Sequence, residues 1–234
     1  LVDGGYGNRE VLVRVNSADT PWHESDLAMA MKSSAHGIVL PKIESPDAVA
    51  QVESALRETG ASKRLWAMIE TPVGVLNAAS IAAASDALDC LLMGTTDLAN
   101  ELRLPDKSAI AGLTWSLGST VVAARAHGLD VIDGVHLDLR DASGFGQACQ
   151  RARAFGFDGK SLIHPKQIAA ANDVFAPDSS ALDRAHRTIE AYREAESAGT
   201  GVAVLDGKLV EALHVTQSER TIALAQAIAN LASD

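Results

Sequence analysis

Aromatic side chains make up only 4% of the 234 residues, and the two cysteines, Cys90 and Cys149, lack any metal-ligand spacing. With few aromatics, a core must be filled by Ala, Val, Leu and Ile. Two isolated thiols within apolar segments exclude a disulfide framework and read as buried thiols of a reducing compartment, so the expected location is the cytoplasm. No apolar run approaches the length of a membrane span and no secretory leader pattern opens the chain. Excess positive charge is also lacking. The formal net charge is −10, which argues against nucleic acid, whose binding needs a basic face. No H-E-x-x-H run, no G-x-G-x-x-G and no G-x-x-x-x-G-K-[ST] is present, which removes the common zinc-protease and nucleotide-binding signatures.

Six strand-like runs are present: 11–16, 37–43, 65–70, 90–97, 131–138 and 157–164. Most are continuous apolar stretches, as expected of strands covered on both faces of a parallel sheet. Amphipathic helices lie between them. Ser45 can cap a helix beginning at Pro46, with Val49, Val52 and Leu56 on one face and Gly60 as its stop. Phe145, Ala148, Ala152 and Phe155 form a second stripe ended by Gly156, and Leu113, Leu117, Val121 and Ala124 a third. Alternating β and α elements allow an open doubly wound sheet or a closed barrel, and the missing glycine fingerprints favour the barrel.

A TIM (β/α)8 barrel needs eight strands. The expectation is therefore that residues 1–177 supply strands three to eight, and that two N-terminal βα units, roughly 60 to 80 residues, are absent from this sequence. After His164 the pattern changes. A helix is expected from about Ser180 to Ser197, a break at Gly199-Thr200-Gly201, and a hairpin turning on Asp206-Gly207. A last helix is expected from about Val215 to Leu231. Residues 178–234 thus form a helix-hairpin-helix appendage, expected to cover the active-site mouth or a neighbouring subunit.

Two acids, Glu70 and Asp97, each close an apolar run. On one face of a parallel barrel they either share a hard divalent cation or remain solvated loop acids. Arg14 closes the first run, as a carboxylate clamp or a rim salt bridge. Lys42 follows Leu40-Pro41, as a neutraliser of anionic substrate or a partner of Glu44.

These residues fall within six motifs in register: Val13-Arg14-Val15-Asn16, Leu40-Pro41-Lys42-Ile43-Glu44-Ser45, Ile69-Glu70-Thr71-Pro72-Val73-Gly74, Gly94-Thr95-Thr96-Asp97-Leu98, Asp133-Gly134-Val135-His136-Leu137-Asp138 and Gly159-Lys160-Ser161-Leu162-Ile163-His164-Pro165. In this the chain resembles the citrate lyase beta-subunit family of CoA-ester lyases within the HpcH/HpaI aldolase superfamily, relatives of malyl-CoA and citramalyl-CoA lyases.

The resemblance implies a Mg²⁺-dependent enzyme acting on the carbon–carbon bond of a 3-hydroxyacyl-CoA, assembled as a homotrimer. It implies Glu70 and Asp97 as metal ligands, Arg14 and Lys42 at the substrate, and His136 and His164 near CoA. His136 stands where relatives often carry an aromatic residue. His164 reads as a base or as a histidine fixing its loop, and Asp138 has the same double reading. The family places an acid/base Asp in its tail; here the matching position is Glu211, one methylene longer and without the following Pro. The alternatives are an aldolase on free hydroxy-keto acids and a non-catalytic CoA-binding subunit.

Overall fold

Buried strands paired in parallel organise the computed structural model, which describes residues 6–105, 109–199 and 202–232. β1 (Leu12–Arg14) is followed by α1 (His23–Lys32), β2 (Gly37–Leu40), α2 (Pro46–Thr59) and β3 (Arg64–Ile69). Two short helices, α3 (Pro72–Leu76) and α4 (Ala78–Ala82), lead to β4 (Leu88–Met93), α5 (Thr95–Glu101) and α6 (Ala109–Ala126). Then come β5 (Asp130–Asp133), α7 (Ala142–Phe155), β6 (Gly159–Lys160), a 3₁₀ turn at Pro165–Gln167 and α8 (Ile168–Phe175).

The six strands lie in the order β1-β2-β3-β4-β5-β6, every neighbour parallel. A doubly wound sheet reverses its strand order; an unbroken sequence with a helix after each strand is the winding of a TIM-type barrel. The carboxyl ends of all six strands therefore share one face.

Local chemistry accounts for the helix limits. The Ser45 hydroxyl accepts the Ala48 N–H at 3.3 Å, Pro46 occupies the first turn, and Gly60 closes α2 in the left-handed region at φ 68°. Asp141 caps α7 and Gly156 ends it. Val49, Val52 and Leu56 of α2 join Ile38, Leu65, Ile81, Leu91 and Val131 in one apolar core. Fully burying each large aliphatic side chain contributes about 1.5–3 kcal/mol. Cys90 and Cys149 are free and buried, and burial pushes the Cys90 thiol well above its ordinary range.

The apolar runs overstate the strands. The sixth run was expected over 157–164, yet the ladder covers only Gly159–Lys160; the fifth, expected over 131–138, stops at Asp133. Beyond those points the backbone forms loops, in which Leu162 packs against a small apolar cluster while Leu137 and Ile163 are exposed.

The described residues divide into two compact units, one ending at Phe175 and a second comprising Ala176–Asp234 with Gly7–Arg9. In the second, Asp178 caps α9 (Ser179–Ala198), whose C-cap is Gly199. β7 (Ala203–Leu205) and β8 (Lys208–Val210) pair antiparallel, and α10 (Ala212–Ala232) packs on α9. Asp206 and Gly207 both have positive φ, 50° and 76°, the geometry of a two-residue type I′ turn. Asp206 also accepts a hydrogen bond from Arg187 Nη2 at 2.5 Å. Thr200 and Gly201 of the expected break lie outside the described residues. Among the described residues no helix is long and apolar enough to cross a membrane.

Candidate active site

Glu70 follows the last residue of β3 and is only 4% exposed. The chain turns at once into α3, because the Thr71 hydroxyl accepts the Gly74 N–H at 3.1 Å and Pro72 presets the first turn. Glu70 Oε1 accepts the backbone N–H of Lys42 at 2.9 Å. To present that N–H, Lys42 adopts φ 49°, a left-handed conformation that costs a non-glycine residue on the order of 1 kcal/mol or more. The next residue rejoins β3, with Ile43 N–H donating to Met68 O at 3.1 Å.

Asp97 does not end a strand as expected. β4 stops at Met93, Gly94 caps α5, and Asp97 stands in that helix's first turn, where an acid also suits the helix dipole. Gly94 N–H donates to Ile69 O at 3.0 Å, which pins this turn beside β3. The missing side chain matters here: a Cβ at Gly94 would overlap the Cβ and Oε2 of Glu70. Glycine thus leaves the space that the Glu70 carboxylate fills.

Asp97 lies close enough to Glu70 for its charge to act on the Glu70 carboxyl. Burial, followed by the Asp97 charge, raises the Glu70 carboxyl above the ordinary carboxylate range, against the Lys42 N–H and the Arg14 charge that lower it. Neither acid forms a salt bridge among the described residues, nor does Arg14 or Lys42. Two neighbouring acids, one buried and neither ion-paired among the described residues, form an oxygen-donor pair that fits a hard cation. Among the described residues no group of three or more His, Cys, Asp or Glu side chains could hold a metal. The pair would therefore leave coordination positions to water or substrate oxygens, as Mg²⁺ prefers.

Arg14, exposed at the end of β1, is near enough to bias Glu70 electrostatically. Just beyond it, Asn16 Nδ2 donates to Asp26 Oδ2 at 2.6 Å and Asn16 O contacts His23 Nδ1 at 2.7 Å, which ties this strand end to α1. The structure thus brings Glu70, Asp97 and Arg14 to one neighbourhood, with the Lys42 backbone bonded into it.

His136 and Asp138 line the same cavity as Asp97. His136, in the loop after β5, packs edge-on against Phe145 with ring centroids 5.9 Å apart, and its buried Nε2 has no hydrogen-bond partner among the described residues. His164 Nδ1 accepts the Lys166 N–H at 3.1 Å and so caps the 3₁₀ turn. Asp138 is exposed, and the Arg140 N–H that it accepts holds its carboxyl below the usual range, a turn role. Glu211 belongs to the second unit, exposed just after β8, its N–H donating to His214 Nδ1 at 2.9 Å. A cavity of about 1070 Å³ is lined by Asp97, Thr95, Asp133, His136 and Lys160, among others. Asp133 and Lys160 carry no role in the sequence because their partnership depends on strand register, and Gln167 because its bonds run to the loop backbone at Ile163 and His136.

Residues 5–165 match the family model described as HpcH/HpaI aldolase/citrate lyase. A (3S)-malyl-CoA thioesterase of Cereibacter sphaeroides is 45% identical over 229 residues, covering 98% of this chain and 79% of that protein. A citrate lyase subunit beta of Leuconostoc mesenteroides subsp. cremoris is 34% identical over 232 residues, covering 95% and 76%. Among solved structures, Mycobacterium tuberculosis CitE in complex with magnesium, acetoacetate and coenzyme A superposes with a TM-score of 0.74 at 28% identity, covering 92% of this chain and 78% of that one.

Proposed function

Because the chain belongs to the HpcH/HpaI aldolase/citrate lyase family, we propose that it is a Mg²⁺-dependent CoA-ester lyase. Its reaction is cleavage or formation of the carbon–carbon bond of a 3-hydroxyacyl-CoA, such as malyl-, citramalyl- or citryl-CoA. The products of cleavage are acetyl-CoA and a 2-oxo acid. The observation that carries this reading is buried Glu70 beside Asp97, two acids that form no salt bridge among the described residues. The magnesium bound in the CitE relative supports it.

In this reading Glu70 and Asp97 hold Mg²⁺, which when bound polarises the substrate oxygens as a Lewis acid. Arg14 clamps the substrate carboxylate through its planar guanidinium, and Lys42 adds positive charge for an anionic substrate. His136 and His164 lie on the CoA side. On cleavage the 3-hydroxyl proton passes to water, the bond between C2 and C3 breaks, and its electron pair passes to the thioester as an enolate. Glu211, or a water it orients, returns a proton to C2. Arg14 stabilises charge on the oxo-acid half throughout. The assembly proposed with this reaction is a homotrimer, to be checked by light scattering.

A second reading is thioester hydrolysis, favoured by the name of the Cereibacter relatives. Malyl-CoA separates the two: glyoxylate and acetyl-CoA support the lyase, while malate and free CoA support hydrolysis. Turnover should fall at least a hundredfold with EDTA or in Glu70→Gln. Activity untouched by both would overturn the metal-dependent reading, and turnover of free hydroxy acids instead of thioesters would favour an aldolase.

A further inference from the structure

The ends of β5 and β6 carry a buried ion pair that the chemistry above does not use. Lys160 Nζ donates to Asp133 Oδ2 at 2.6 Å and to Gly134 O at 2.5 Å, and the two side chains are 4% and 9% exposed. Asp133 and Lys160 are register partners in neighbouring strands. Along β5, Val131 and Asp133 are buried while Ile132 between them is half-buried, so the pair shares the core-facing side with Val131. An ion pair this deep contributes little net stability, because desolvation offsets the attraction; apolar replacements of similar volume are often neutral or stabilising. Its placement is better explained by what it holds.

The bonds lead to the carboxylate pair. Lys160 fixes the Gly134 carbonyl, Ser161 N–H donates to Asp133 O at 2.8 Å, and Gln167 Nε2 donates to His136 O at 3.0 Å. The backbone from Asp133 to His136 is thus anchored from the β6 side. Gly134 in turn lies flat against Thr95. A Cβ there would overlap the Thr95 hydroxyl and come within 2.6 Å of its Cγ2 and 2.8 Å of its Cβ, so rotating the threonine alone could not relieve it. Thr95 is the first residue of α5, and Asp97 stands two residues later.

We propose that Lys160 and Asp133 are positioning residues for the Glu70–Asp97 pair. The brace sets Gly134, Gly134 sets Thr95, and Thr95 sets the first turn of α5 and hence Asp97. The proposal rests on reading the two carboxylates as a cation site.

The test compares wild type with the Asp133→Leu/Lys160→Met double variant, which removes both charges and leaves neither orphaned, and with Gly134→Ala, which keeps both charges. Thermal melting, Mg²⁺ calorimetry and amide exchange are measured on each. The double variant should keep or raise its melting temperature, weaken Mg²⁺ binding about 10- to 100-fold, as lost supporting contacts around metal ligands do, and exchange faster at residues 94–98 and 133–138. Gly134→Ala should lose Mg²⁺ affinity similarly, and it decides the matter alone if the double variant does not fold. Wild-type Mg²⁺ affinity in the folded variants overturns the brace, as does faster exchange throughout the first unit with a lowered melting temperature. Should wild type bind no Mg²⁺, the cation reading fails and exchange decides the brace: faster rates confined to 94–98 and 133–138 support it, and unchanged rates overturn it.

Discussion

Lys42 does two separable jobs in the proposed site. Its backbone N–H holds Glu70 Oε1, and that requires a left-handed backbone, while its ammonium group supplies charge. Lys42→Gly keeps the N–H and removes both the strain and the charge. The variant should be more stable than wild type by about 0.5–1 kcal/mol in urea unfolding, once the added freedom of the unfolded chain is offset against the relieved strain. If the ammonium serves the anionic substrate, KM for the acyl-CoA should rise about tenfold in the same variant. Unchanged KM would leave Lys42 a backbone role only. Glu70 permits a pH prediction. Its carboxyl is raised from an ordinary value of 4.5, so the stability tied to its proton is fully present below that value and is lost as pH rises through the folded one. Above it, two neighbouring negative charges oppose folding and Mg²⁺ relieves them. The rise in melting temperature on adding Mg²⁺ should therefore be larger at about pH 8 than at about pH 5, with Na⁺ at equal ionic strength giving much less. Equal shifts at both pH values would contradict this.

At the scale of elements, what was legible in the chain was what is decided locally. Ser45, Pro46 and Gly60 delimit α2 because cap, first turn and stop all act within a few residues of their own backbone. Gly156 ends α7 for the same reason. Strand ends were not legible, because pairing depends on a partner strand; Val135, Leu137, Leu162 and Ile163 continue the apolar pattern beyond the ladder. Asp97 was misplaced by this error: four residues past the strand, it belongs to a helix. Asp133 and Lys160 sit in separate motifs, and only the register shows that they meet. The same holds for Gly94, whose lack of a side chain makes the turn into α5 compatible with Glu70. Gly94→Ala puts a methyl group where the carboxylate now lies. This single change should abolish measurable Mg²⁺ binding while circular dichroism stays that of the wild type. Retained Mg²⁺ affinity would show that the carboxylate can relocate without cost.

At the scale of the molecule, the apolar residues are unevenly shared. Among the described residues, every member of the two buried apolar clusters belongs to the first unit, from Val15 to Ala171. In the second unit Ala185, Ile189, Ala203 and Val210 are buried, while Val204, Leu209 and Leu213 are exposed. Opening free energy follows buried apolar contact, so the second unit should open first and as a block. Native-state amide exchange should find protection in α9 and α10 at least tenfold below that of β3 and β4. Added Mg²⁺ should slow exchange near Glu70 and Asp97. If Glu211 takes part in binding the acyl-CoA, the substrate should additionally slow exchange in β8 and the start of α10. Glu211→Gln would then lower turnover without changing Mg²⁺ affinity, because its assigned task is proton transfer and not coordination. Protection in α9 equal to that in β3 would instead mean that both units unfold as one cooperative body, and the apolar clusters would then be a poor guide to where the molecule yields.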